Sequence, residues 1–183
     1  MLGRGLDEKR WHVHLSDGGH FENLGLYELI RRRCRYIIVS DAGADPKWKF
    51  GDLGRAIEMA RVDFGARVDL DTRPLMPPGK NEASPLPFVL GKVTYNNGAF
   101  ADLIYIKTAI TKGLPEDVYA YCRVNPSFPD ETTIDQFFDE RQFEAYRELG
   151  FQIGLQLCGK KDCGDLDALI KRLKSDQVIG TRS

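Results

Sequence analysis

The chain has 183 residues, 42% of them hydrophobic and 29% charged, enough to bury one core and within the range of a single domain. Its 26 basic residues stand against 27 acidic ones, a formal net charge of -1, so no whole-chain field would draw in nucleic acid or an anionic membrane, and no nucleic-acid partner is expected. No apolar run approaches the roughly 20 residues of a membrane span, and the N-terminal segment lacks a signal-peptide core. A cytoplasmic chain is expected. Cys34, Cys122, Cys158 and Cys163 read as reduced thiols, with Cys34 and Cys122 packed as small apolar side chains.

In chain order, residues 11–16, WHVHLS, alternate as a half-buried strand does, and the run stops at the turn chemistry of Asp17-Gly18-Gly19. Glu22 and Asn23 open a helix whose Leu24, Tyr27, Leu29 and Ile30 recur at helical spacing and which closes on Arg31-Arg32-Arg33, where the helix dipole favours cations. Tyr36 to Val39 is a short apolar run suited to a strand buried on both faces of a parallel sheet, so strand, helix and strand form a βαβ unit. Residues 52–64 predict a helix capped by Gly65, followed by a strand at ARVDLD.

Residues 73–87 hold five of the nine prolines and predict a loop. FVLGKVTYNN and ADLIYIKTAI read as a β-hairpin near residues 88–110, turned on Asn96-Asn97-Gly98, because Asn and Gly tolerate positive φ. A helix is expected over 116–124, bounded by Pro115 and Pro126. The segment 134–157 places Phe137, Phe138, Phe143, Tyr146 and Leu149 on a stripe that should dock on the sheet, core packing being a commoner outcome than an acyl pocket. Residues 159–183 form a charged tail with a short helix at 166–173. The fold expected is α/β, a mixed sheet with helices on both faces.

Taken from its residues alone, Asp17 is either a turn aspartate capping the next helix or an acid placed for chemistry. Asp41 and Asp45 are more simply turn residues than ligands of a cation shared with Asp17, and His12, His14 and His20 lack the partners of a ligand set, so neither a metal nor a cofactor is expected. The triple arginine is open to two readings, a solvated helix end or a face for lipid phosphate. Lys107 and Arg147 have no assigned role.

The block HLSDGGHFENLGLYELIRRRCRYIIVSDAGADP, residues 14–46, resembles the region around the catalytic aspartate of patatin-like phospholipases, and FPDETTIDQFFDERQFEAYRELG resembles the C-terminal part of large bacterial members. The resemblance runs from His14 to Leu157. It implies a partial patatin-like fold over residues 1–158 and a serine-dependent lipid acyl hydrolase working through a Ser-Asp dyad. Asp17 would then be the general base, with Gly18, Gly19 and Asn23 shaping its turn. A carboxylate within hydrogen-bond reach takes the proton that keeps a serine hydroxyl from attacking, and glycines after it let the backbone turn sharply.

The sequence departs from the family in lacking both the glycine-rich oxyanion loop and the serine elbow. No G-x-S-x-G occurs, and the serines stand only at 16, 40, 84, 127, 175 and 183. Ile38 and Ala42 occupy the elbow glycine positions around Ser40. The expectation is therefore the C-terminal part of a phospholipase-like enzyme, inactive alone, whose serine comes from an N-terminal half or a partner chain. Its substrate would be a lipid or phospholipid, met through peripheral membrane contact. The alternative is a non-catalytic remnant or interaction subunit that keeps the fold.

Overall fold

A computed structural model describes residues 17–79, 82–132, 137–159 and 165–180. The elements are α1 (Leu26–Arg31), β1 (Tyr36–Asp41), α2 (Gly51–Phe64), β2 (Arg67–Leu70), β3 (Phe88–Thr94), β4 (Phe100–Lys107), α3 (Glu116–Val124), α4 (Glu140–Cys158) and α5 (Leu166–Gly180). The strand expected at residues 11–16 lies outside the described residues, and with it the first half of the proposed βαβ unit.

The sheet has the order β1-β4-β3-β2, with β1 parallel to β4 and the other neighbours antiparallel, so the expected mixed α/β sheet is present. The expected hairpin is β3–β4, paired from Phe88↔Ile106 to Thr94↔Phe100. Its connection turns where Gly98 takes φ 83°, Gly98 N–H donates to the Tyr95 carbonyl at 3.0 Å, and Asn97 Oδ1 accepts from Ala99 N–H. Gly65 caps α2 in the left-handed region, as its position predicts.

Both faces of the sheet are covered. On one, Leu26 and Ile30 of α1 and Leu53, Ala56 and Ala60 of α2 pack against Ile37, Val39, Leu103 and Tyr105. On the other, Leu169, Ile170 and Leu173 of α5 and Leu157 of α4 pack against Ile104 and Phe88. The helix expected over 166–173 thus continues to Gly180. A further cluster joins α3 to α4 through Val118, Tyr121, Phe128, Leu149 and Ile153, with the Tyr121 and Phe128 rings edge to face at 5.0 Å.

Several expectations are corrected. Strand β1 is not buried on both faces: Ile37 and Val39 are buried, but Ile38 is 42% exposed, because β1 is the outer strand among the described residues and α5 covers the sheet further in. The aromatic stripe does not dock as drawn. Helix α4 begins at Glu140 after an Asp139 N-cap, leaving Phe137 and Phe138 ahead of it, Phe137 being 93% exposed and Phe143 on the helix 62% exposed. Of the expected stripe, Leu149 is buried and Tyr146 packs against the α3–α4 cluster, and the buried face of the helix is Ala145, Leu149, Ile153 and Leu157, spaced by four residues. Cys158 is disulfide-bonded, against the expectation of four reduced thiols, while Cys34 and Cys122 are free and partly buried against apolar clusters.

Candidate active site at the strand ends

The Asp-Gly-Gly turn forms as the residues dictate. Asp17 N-caps a 3-10 turn at Gly18–His20, and its Oδ1 accepts from the Gly19 N–H at 2.9 Å. A β-carbon on Gly19 would lie 2.6 Å from Asn23 Oδ1 and 3.3 Å from Asp17 Oδ1, so a side chain there would push both polar side chains aside. Gly18, by contrast, has open space around it.

Asn23 does not cap α1. Its Nδ2 donates to Asp52 Oδ2 at 3.0 Å and ties the turn to the start of α2, while Glu22 accepts from the Leu24 N–H at 2.6 Å. The N-cap of α1 is Gly25 in the left-handed region, which starts the helix two residues later than its apolar pattern suggests. Asp17, Gly18, Gly19 and Asn23 are thus brought together. The Asp17 carboxylate is exposed, and only Gly19 among the described residues holds it.

Asp52 also lines a cavity of about 210 Å³ with Asp41, Gly43, Asp45, Lys49 and Lys107. It sits at the carboxyl ends of the parallel strands β1 and β4, the place where open α/β sheets take their ligands. Lys107 and Asp41 are register partners, and Lys107 Nζ lies 3.2 Å from Asp41 Oδ1 with the side chains 2% and 9% exposed. Lys107 also donates to the Gly43 carbonyl, the Tyr105 hydroxyl donates to Asp41 Oδ2, and the Gly43 N–H donates to Asp41 Oδ1 at 2.9 Å. Each buried charge is therefore paired and hydrogen-bonded, which is what allows it to remain in a low-dielectric site. Burial, reinforced by the bond to Asp41, pushes the Tyr105 hydroxyl up, so it stays a donor.

Asp45 Oδ2 accepts from the Phe50 N–H, and the Asp45 N–H donates to Asp130 Oδ1, each at 2.6 Å. Burial pushes the Asp130 carboxyl up. The aspartates of S-D-A-G-A-D-P are thus structural, Asp41 through a buried cation and Asp45 through backbone amides. Among the described residues no group of three or more His, Cys, Asp or Glu side chains is placed to hold a metal ion.

The reading from sequence missed Lys107. The signal was available: alternation along ADLIYIK puts Lys107 on the same face as Leu103 and Tyr105, which is the core face. Two of the described serines are engaged away from Asp17. Ser84 is buried, 1% exposed, and engages the carbonyls of Leu75 and Leu86, while Ser175 donates to the Arg172 carbonyl. No helix of the described residues is long and apolar enough to cross a membrane. No family model, curated protein or solved structure matches the chain.

Proposed function

We propose that this chain supplies the general base of a serine-dependent lipid acyl hydrolase of the patatin-like type, Asp17 acting on a serine that another polypeptide segment carries. The observation that supports the reading best is the Asp17 turn. One carboxylate oxygen is fixed by the Gly19 N–H, the group is exposed, and nothing among the described residues donates to its second oxygen. In the reaction, the serine Oγ attacks the ester carbonyl while its proton passes to Asp17. The same proton then returns to the departing alcohol, leaving an acyl-serine that water hydrolyses with Asp17 again as base.

The burial that strengthens such a base would come from the serine-bearing segment, and peripheral contact with lipid and a cytoplasmic setting belong to the same reading. The chain alone should not hydrolyse p-nitrophenyl butyrate or phosphatidylcholine. Combined with the polypeptide encoded directly upstream, provided that it carries G-x-S-x-G, it should hydrolyse both, and Asp17→Asn should remove at least a thousandfold of that rate. Hydrolysis that survives Asp17→Asn sinks the reading.

The second reading, a non-catalytic interaction subunit, is favoured by the outer edge of β1, which no described strand covers and beside which Ile38 is exposed. An upstream segment with no G-x-S-x-G would select it.

A further inference from the structure

Opposite its buried row, α4 carries a second row on its outer face: Phe143, Arg147, Phe151 and Leu155, again spaced by four residues. Phe143 is 62% exposed, Phe151 53% and Leu155 42%. Single exposed apolar side chains are ordinary, but three on one ridge of one helix make a contiguous patch.

A groove runs beside this ridge. Gly150 and Gly154 each precede a residue of the row, and a β-carbon on either would meet nothing within 4 Å. Alanine would fit at both places and favours a helix, so packing within the chain does not call for glycine there. Two glycines one turn apart lower the helix surface enough for the backbone of another helix to approach.

We propose that this face of α4 docks on the same face of a second copy of the chain, the two helices antiparallel about a two-fold axis, with Phe151 of each seated over Gly150 and Gly154 of the other and beside its Arg147. Rows of residues four apart interdigitate in the commonest class of helix packing. A two-fold contact needs a patch complementary to itself, and a ridge next to a groove supplies one. Arg147 is paired to Glu144 and Glu148 at 2.6 and 2.8 Å, so its charge is balanced within the copy and its planar group can stack on a ring of the other.

Charge sets the direction. The charged side chains of α4, Glu140, Arg141, Glu144, Arg147 and Glu148, all lie in its first half. A parallel copy would oppose them to their equals, whereas an antiparallel copy sets them beside the uncharged second half. Their acidic excess also disfavours an anionic lipid surface as the occupant. A single helix crossing falls in the class of interfaces below about 1,200 Å², which associate weakly and reversibly. The contact is independent of whether Asp17 acts as a base.

Sedimentation velocity of the full chain from about 1 μM to about 500 μM, a range that spans the weak association of a small interface, should show a monomer–dimer equilibrium. Phe151→Lys sets a second cation beside Arg147 of the other copy and should weaken the dimer at least tenfold. Adding Arg147→Glu should restore most of that loss, because opposite charges then face each other across the axis. Gly150→Leu should weaken the dimer as much while raising the melting temperature of the dilute monomer, leucine being the better helix former at an open position, which separates lost docking from lost folding. A chain that stays monomeric throughout, a dimer that Phe151→Lys and Gly150→Leu leave intact, or a loss that Arg147→Glu deepens overturns the proposal. So does a monomer that floats with phosphatidylcholine vesicles and is released from them by Phe151→Lys, which would assign the face to lipid.

Discussion

Asp41 and Lys107 end neighbouring parallel strands as register partners, and their charged groups meet 3.2 Å apart with both side chains almost wholly buried. Removing one member of such a pair leaves the other charge buried and alone. We predict that Lys107→Met or Asp41→Leu costs about 3–5 kcal/mol in urea unfolding, and that the double substitution costs less than the two single losses together. Additive losses would show that the pair is not energetically coupled.

Asp17 should contribute almost nothing to folding. It is exposed and caps only a three-residue 3-10 turn, so Asp17→Ala should lower unfolding free energy by less than about 1 kcal/mol. A loss as large as that at Lys107 would mark Asp17 as structural and weaken the case for it as a base.

Gly91 is where β2 and β3 come too close for a side chain. A β-carbon there would lie 2.8 Å from the Asp69 carbonyl oxygen and 2.7 Å from Leu70 Cδ1. Because the backbone of β2 must move, Gly91→Ala should destabilise by about 1–3 kcal/mol. Faster exchange of the Val68 and Leu70 amides, with β1 unaffected, would locate the damage.

Acid should weaken the fold partly through Glu28 and Asp71. Hydrogen bonds from Arg31 and Arg32 hold the Glu28 carboxyl down to about 2, and those from Arg73 hold Asp71 to about 2. With folded values below the unfolded ones, their stabilisation is present above about pH 4.5 and is lost as pH falls through about 2. Both are exposed, so the effect should shrink in high salt. Thermal melts between pH 5 and pH 2 should fall less steeply for Glu28→Gln than for the parent chain; parallel curves would refute this.

The elements whose signals are local were legible in the sequence. Asn96-Asn97-Gly98 fixed the hairpin because Gly98 supplies the positive φ, and the apolar spacing of α2 with Gly65 behind it marked that helix to within a residue. What could not be read depended on which element lies opposite. Ile38 looks like core until β1 proves to be the outermost described strand, and Phe143 looks like core until Ala145 and Leu149 turn the helix a different way. At the site, the tie through Asn23 to Asp52 joins residues 29 apart, which no local pattern encodes. Lys107 was overlooked for a related reason: its counterion stands 66 residues away.

That separation has a kinetic consequence. The β3–β4 hairpin closes over residues 95–99, whereas docking β1 on β4 closes a loop more than ten times longer, whose entropy must be overcome before any pairing is gained. The antiparallel three-strand unit should therefore assemble first and β1 arrive last. Substitutions at Asp41 should then raise the unfolding rate and leave the folding rate nearly unchanged in stopped-flow experiments. A brief departure of β1 would expose the inner edge of β4 while the rest of the sheet persists, making that edge the first surface on which two copies of this chain would exchange strands.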